Sequence, residues 1–251
     1  KRCGVIPVRG VEGHCVAVLG LGRSGLSAAR ALRLGGADVL CWDDNPAARE
    51  AAAEEGFDIR QFRTAEDFAD VASLIVSPGI PHLYPEPNKV VAAAQEAGVP
   101  VDNDIGLFFR SFATQGWDAF DTPPRVIAVT GSNGKTTTTS MLAGIVEASG
   151  RNGAACGNIG LPVLDAMQAE PRVDVLCAEL SSFQLHWAPS VRPHAGVVLN
   201  VAEDHLDWHG TFEAYALAKA GALRAPGRTL RCPPPSAVKV TPPAMPPGPQ
   251  P

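Results

Sequence analysis

The sequence predicts an α/β protein, with a Rossmann-like N-terminal domain followed by a P-loop-type parallel α/β domain. Two observations predict this class. Residues 5–115 and residues 126–225 each alternate short β-branched runs with helical patterns. In each part a glycine-rich turn follows the first predicted strand, as in nucleotide-binding α/β folds. Residues 116–125 contain two prolines and two aspartates, and we predict that they form a linker.

Composition excludes several classes of partner. The chain has 251 residues, of which 45% are hydrophobic, and this suits one or two globular domains. A net charge of −5 gives no indication of nucleic acid or of a membrane surface. No apolar run approaches the ~18 residues of a membrane span, and no basic-then-apolar leader is present. The six cysteines are scattered, so we predict a reduced, cytoplasmic setting.

The most informative segment is residues 126–139, which read VIAVTGSNGKTTTT. A β-branched run leads into the glycine turn Gly131–Gly134, and Lys135 then opens a helical pattern. Such a turn points backbone N–H groups at an anion, and the helix N-terminus adds its positive dipole end. The lysine can reach the outer phosphates, and the hydroxyl of Thr136 can ligate Mg²⁺. Val129 stands where the longer Walker pattern has glycine. The alternative is an ordinary strand–turn–helix corner with a surface lysine.

A second glycine turn lies near the N-terminus. A strand pattern at 15–19 precedes Gly20–Gly25, which fits G-x-G-x-x-G, and Asp43 follows about 20 residues on, as in the dinucleotide fingerprint. This pattern predicts a phosphate or a ribose near the turn without naming the nucleotide. A turn whose glycines serve packing alone is the alternative. After the strand pattern at 74–76, Ser77 either donates to a phosphate or sugar or serves only in its own turn.

Acidic residues follow two later strand patterns. Glu179 lies near the end of the strand predicted at 174–180, where a buried acid is costly unless it is paired or binds a metal. Its alternative is a buried acid satisfied by local hydrogen bonds. After the strand at 195–199, the polar segment 203–207 contains His205 and suits a second metal or substrate phosphates, or else a solvated loop. The helix predicted over 211–223 would begin at a Thr211 cap.

Four motifs, in this order, resemble the Mur ligases of peptidoglycan synthesis. They are VTGSNGKTT at 129–137, GNIGLP at 157–162, ELSSFQL at 179–185 and NVAEDHLD at 200–207. The third motif most resembles the members of that family that add D-glutamate. The segments GLGRSG at 20–25 and SPGI at 77–80 fit the same members, and the resemblance covers roughly residues 5–223.

The resemblance implies an ATP-dependent ligase that adds D-glutamate to UDP-N-acetylmuramoyl-L-alanine through an acyl phosphate. It also implies Mg²⁺ at two sites, a carbamate formed from CO₂ on Lys219, and action as a monomer. The residues implied for the ATP phosphates are Gly131, Ser132, Asn133, Gly134, Lys135, Thr136 and Thr137. Those implied for the UDP-linked substrate are Arg23, Ser24, Asp43, Ser77, Asn158 and Ser181. The implied metal ligands are Thr136, Glu179, His205 and Lys219. Lys135, His205 and Lys219 are the candidate catalytic residues.

The chain departs from the family pattern in two places. Relatives continue through the rest of the ATPase domain into a third domain that contributes the D-glutamate site, whereas here a segment with ten prolines occupies 226–251. We expect that tail to be disordered, the central domain to be incomplete and the third domain to be absent. A truncated or frameshifted gene would explain this, and its product would be inactive as a ligase. Gly106 stands where an acid is expected.

Two alternatives stay open. The chain could be a non-catalytic nucleotide-binding fragment of such a ligase. It could also be an NAD-binding Rossmann oxidoreductase, which predicts nicotinamide-nucleotide binding at Gly20–Gly25 and leaves the 129–137 loop without a role.

Overall fold

The computed structural model describes residues 7–81, 86–114, 124–166 and 173–224, and these residues form two parallel sheets. The α/β class predicted from the sequence is confirmed. Most of the predicted linker, which falls on residues 115–123, lies outside the described residues, and so does the whole predicted tail at 226–251. The division of the chain at 116–125 and the disorder of the tail therefore stay predictions.

The first sheet has five parallel strands in the order β3-β2-β1-β4-β5, the order of a Rossmann-type sheet. The strands are β1 Cys15–Leu19, β2 Asp38–Trp42, β3 Asp58–Ile59, β4 Val71–Val76 and β5 Val101–Asp102. The helices are α1 Arg23–Leu34, α2 Pro46–Glu54, α3 Lys89–Glu96 and α4 Asp104–Thr114. Strand order reverses beside β1, so the Gly20–Gly25 turn opens at the switch point where ligands bind in such sheets.

The second sheet has four parallel strands in the order β7-β8-β6-β9. The strands are β6 Arg125–Thr130, β7 Gly153–Gly157, β8 Val175–Glu179 and β9 Ala195–Val198. The helices are α5 Lys135–Ala148, α6 Ser182–Trp187, α7 Leu206–His209 and α8 Phe212–Ala220. The phosphate-binding pattern begins at the end of β6, an inner strand, so its turn lies between the ends of β8 and β9.

One apolar core joins the two sheets through α4. Ile105 and Phe108 of α4 belong to the same buried cluster as Leu32 of α1 and Leu185 of α6. Burying these side chains on both sides of one helix removes apolar area from water and fixes the sheets against each other. The described part of the chain contains no helix long and apolar enough to cross a membrane.

The helix predicted over 211–223 is shorter than expected. The α-helix α8 ends at Ala220, and Gly221–Leu223 continues it as a 3-10 turn. The predicted cap is present, because the Thr211 hydroxyl oxygen accepts a hydrogen bond from the Ala214 N–H at 3.1 Å. The last turn packs against β9, and this tertiary contact replaces the regular helix that the sequence pattern predicts.

The structure gives a physical reason for glycine at position 106. A Cβ at Gly106 would clash with the Asp102 carboxylate, which lies directly beside it. That carboxylate pairs with Arg110 at 2.6 Å, and Asp102 is 5% exposed. A side chain at 106 would therefore require Asp102 to move.

A second acid beside this pair is also buried. Asp104 opens α4 and is 2% exposed. Burial raises the pKa of Asp104 to about 6, and the Ser24 side chain beside it opposes the rise. Because the folded protein then binds a proton that the unfolded chain has released, stability falls as pH rises from about 4 to about 6.

We expect Asp104→Asn to remove this pH-dependent loss, because asparagine has nearly the same shape and does not ionise. The unfolding free energy of the variant minus that of the unmodified chain should therefore rise by on the order of 3 kcal/mol from pH 4 to pH 7. Urea titrations at both pH values measure the difference. Asp70→Asn, at an exposed aspartate, is the matched control and should show no such gain. If the difference in unfolding free energy between Asp104→Asn and the unmodified chain is the same at pH 4 and pH 7, the raised pKa of Asp104 is contradicted.

Candidate functional site

The candidate phosphate loop joins β6 to the N-terminus of α5. No side chain in the described part of the chain caps that helix, whose N-cap residue is Gly134. The first backbone N–H groups of α5 therefore have no partner within their own helix and suit an anion such as phosphate. This is the local geometry that the 126–139 pattern predicts.

Hydrogen bonds from the segment that follows β9 hold the phosphate loop in place. The Asn200 side chain accepts from the Asn133 N–H at 2.9 Å and donates to the Asn133 carbonyl at 3.1 Å. The Ser132 hydroxyl donates to the Ala202 carbonyl at 3.1 Å and accepts from the Ala202 N–H at 2.9 Å. The Tyr215 hydroxyl lies 2.8 Å from the same Ser132 oxygen. The first and fourth sequence motifs thus form one hydrogen-bonded unit.

Two lysines converge on one carbonyl of this loop. Lys135 Nζ donates to the Gly131 carbonyl at 2.9 Å, and Lys219 Nζ donates to the same oxygen at 2.8 Å. Lys219 is 1% exposed, and its ammonium lies 4.6 Å from the centre of the Tyr215 ring. Burial, together with the charge of Lys135, lowers the pKa of Lys219 to about 8, and Asp204 opposes both effects. Part of the Lys219 population is therefore a neutral amine near neutral pH.

The acid at the end of β8 brings three of the predicted residues together. Glu179 is 1% exposed, and one carboxylate oxygen accepts from the Thr136 hydroxyl at 2.9 Å. The other oxygen accepts from the Asn158 amide, also at 2.9 Å. The local hydrogen bonds weighed as an alternative from the sequence are thus present. A carboxylate and a hydroxyl are also oxygen ligands of the kind that Mg²⁺ prefers, so the arrangement fits a metal as well.

The predicted second metal site is less complete. His205 has φ +52°, the only non-glycine residue with positive φ among those described. Its Nε2 lies 3.4 Å from Asp204, and its ring packs on Phe183 with centroids 4.7 Å apart. Within the described ranges no three His, Cys, Asp or Glu residues are placed to hold a metal. His205 therefore stays a predicted ligand, and its strained backbone suggests that its position matters.

Several predicted substrate residues serve the fold directly. The Asp43 carboxylate accepts from the Leu21 N–H at 2.6 Å and from the Asn45 N–H at 2.8 Å, which fixes the Gly20–Gly25 turn. The Ser77 hydroxyl donates to the Gly20 carbonyl at 2.7 Å, so its turn role is present.

Two other residues of the predicted substrate set lie at the start of helices. Ser181 caps α6 in a capping box with Gln184, a role that the spacing S-x-x-Q could have indicated. Ser24, in the first turn of α1, lies beside Asp104. Substrate contacts of all these side chains stay predictions.

Sequence reasoning missed two residues of the site. Asn200 lies in a quoted motif, but its contact with Asn133 spans 67 residues and has no local signal. Tyr215 lies four residues before Lys219, a spacing that places both on one helix face and could have been noticed.

Comparison with known proteins decides the family. Residues 129–224 match the Mur ligase middle domain. Two relatives, both named UDP-N-acetylmuramoylalanine–D-glutamate ligase, come from Ruegeria pomeroyi and Roseobacter denitrificans. They are 60% and 59% identical over 215 and 217 residues, which is 86% of this chain in each case. The chain belongs to the Mur ligase family.

This Mur ligase chain spans about half the length of the curated relatives it matches, since the match covers 46% of each. A solved structure similar in fold is the UDP-N-acetylmuramate:L-alanyl-gamma-D-glutamyl-meso-diaminopimelate ligase of Neisseria meningitides, with a TM-score of 0.50 and 18% identity. That match covers 84% of this chain and 68% of the other. The resemblance inferred from four motifs is confirmed, and the oxidoreductase alternative is not favoured.

The clamp on the phosphate loop makes a testable prediction. We expect Asn200→Ala to speed hydrogen exchange of the Asn133 amide, because its acceptor is removed. Asn200→Asp is the matched control, since it keeps the acceptor oxygen and loses only the donor. Amide exchange followed by NMR should be fastest at Asn133 in the alanine variant, slower in the aspartate variant and slowest in the unmodified chain. Equal rates in all three chains would show that Asn200 does not hold the loop.

Proposed function

We propose that this chain carries the ATP and UDP-substrate sites of a cytoplasmic, monomeric ligase of peptidoglycan precursor synthesis. The reaction joins D-glutamate to UDP-N-acetylmuramoyl-L-alanine. One observation carries the proposal: Thr136, Glu179 and Asn158, from three separate family motifs, meet beside an open helix N-terminus. The two relatives, both D-glutamate ligases by name, support the choice of substrates.

The proposed reaction has two steps. A carboxylate oxygen of the substrate attacks the γ-phosphorus of ATP, the bond to the bridging oxygen breaks, and an acyl phosphate and ADP form. The amine of D-glutamate then attacks the acyl carbon, and phosphate leaves with the bonding electrons as the nitrogen loses a proton. Both reactants of the first step are anions, so the site must concentrate positive charge where they meet.

The residues of this chain would supply that charge and its positioning. Lys135 now donates to two carbonyls of its own loop, Gly131 and Ser132, and would exchange them for outer phosphate oxygens. Thr136 and Glu179 would hold one Mg²⁺, which neutralises phosphate charge and polarises the reacting phosphoryl group. Asn158 donates to Glu179 and thereby orients the carboxylate toward that site.

Lys219 suits the carbamate that the family resemblance implies. The neutral amine would attack the carbon of CO₂ and lose one proton to solvent, leaving an anionic N-carboxylate. Two cationic lysines now share the Gly131 carbonyl, so this conversion would replace a repulsion with an attraction to Lys135. The resulting carboxylate, with His205, would serve the second Mg²⁺ site.

A second candidate function is nucleotide binding without ligation by this chain alone. The observation that favours it is that the match spans 46% of each relative's length. The two candidates make the same prediction for ATP binding and different predictions for turnover.

The test measures ADP and phosphate release with ATP and Mg²⁺, with each substrate alone and with both. If the ligase proposal holds, sustained release requires both UDP-N-acetylmuramoyl-L-alanine and D-glutamate. Lys135→Met should then lower the rate at least about 100-fold, because a charge-assisted phosphate contact is lost. Lys89→Met is the matched control, since Lys89 is also the first residue of a helix but lies in α3. Its rate should be unchanged.

Binding of ATP without any turnover would favour the second candidate over the first. Failure of the chain to bind ATP at all would contradict both.

A further inference from the structure

One hydrogen bond connects the two candidate nucleotide sites. The guanidinium of Arg23, the first residue of α1, donates to the carbonyl of Gly160 at 3.0 Å. The partners are 137 residues apart, and they lie beside different sheets: Arg23 follows β1 of the first sheet and Gly160 follows β7 of the second. Arg23 is exposed, and no second hydrogen bond of its side chain occurs within the described residues, so its remaining N–H groups can bind a phosphate.

The loop that receives Arg23 has little conformational freedom. The Gly157 N–H donates to the Leu161 carbonyl, and the Asn158 N–H donates to the Glu179 carbonyl, both at 2.9 Å. Gly157 has φ +92°, and a Cβ there would clash with that same Glu179 carbonyl. The first bond closes the 157–161 loop on itself and the second ties it to the end of β8, so Gly160 and Asn158 belong to one short constrained loop.

From Asn158 the contacts continue to the start of the phosphate-loop helix. The Asn158 amide donates to Glu179, whose other oxygen accepts from the Thr136 hydroxyl. Thr136 lies in the first turn of α5. A chain of hydrogen bonds and one short rigid loop therefore runs from Arg23 to the residues proposed to hold Mg²⁺.

We propose that Arg23 is a positioning residue that couples the two nucleotide sites. This proposal rests on the proposed function. A diphosphate held at the Gly20–Gly25 turn would engage the outer face of the guanidinium while its inner face stays on Gly160. Through the 157–161 loop, this contact would hold Asn158 and Glu179 more firmly in position for the metal-bound nucleotide. Because coupling of binding free energies is reciprocal, each nucleotide raises the affinity for the other by the same factor.

Arginine suits this role because its planar guanidinium donates in two directions at once. Lysine keeps the charge, but a single ammonium cannot maintain the same two-sided geometry. Replacing Arg23 with lysine should therefore lose most of the coupling while retaining part of the diphosphate affinity.

The experiment uses calorimetric titration of the full chain with ATP and Mg²⁺, with and without saturating UDP. UDP has no carboxylate to phosphorylate, so no ligation accompanies binding. The unmodified chain should bind ATP at least about 5-fold more tightly when UDP is present, the lower end of typical coupling. In Arg23→Met, the ratio of the ATP affinity with saturating UDP to that without UDP should fall to within about twofold of unity. Asn158→Ala, which removes a later link, should lower the same ratio.

Arg151→Met is the control, because Arg151 is an exposed arginine in the turn after α5. It should keep the unmodified ratio. A residue that only supports the fold would change both affinities without changing their ratio. An unmodified ratio in Arg23→Met, or a ratio of one in the unmodified chain, would overturn the coupling while leaving the proposed function intact. Absence of binding of either nucleotide would instead overturn both.

Discussion

The buried carboxylate of Glu179 is the constraint on which the rest of the site depends. An ionised acid at 1% exposure is unfavourable unless hydrogen bonds replace the water it has lost. Thr136 and Asn158 supply those bonds, one to each oxygen. The end of β8, the first turn of α5 and the loop after β7 are therefore held at a single point. The same requirement makes this point suitable for a cation, since the carboxylate is already oriented and partly desolvated.

The junction between the sheets matters for the proposed ligase function, because one substrate would have to reach both proposed sites. Asn103 is fully buried, its amide donates to the Gln184 carbonyl at 2.7 Å, and its oxygen accepts from the Gly106 N–H at 2.9 Å. The Ser190 hydroxyl donates to the Gly106 carbonyl at 3.3 Å. These bonds fix α4 of the first sheet against α6 of the second. Such a junction would allow binding energy at the proposed UDP site to position the carboxylate that is proposed to react.

Local features of this chain could be predicted from the sequence, and contacts between distant segments could not. The strand runs, the glycine turns and the Thr211 cap depend on neighbouring residues, and the structure contains them. The fold class and the family are confirmed for the same reason, because they rest on motifs of a few residues. The clash that requires glycine at 106, the bond from Arg23 to Gly160 and the unusual backbone of His205 depend on tertiary packing. The roles of the individual site residues in binding stay predictions.

We propose that this one chain carries two separate nucleotide sites, one on each sheet. Equilibrium dialysis with labelled ATP and labelled UDP, applied singly and together in the presence of Mg²⁺, tests it most directly. We expect about one ATP and one UDP per chain, with both retained when both are present. We also expect that excess NAD displaces neither nucleotide. Displacement of ATP by UDP at equal stoichiometry would show a single shared site and would rule out two separate sites.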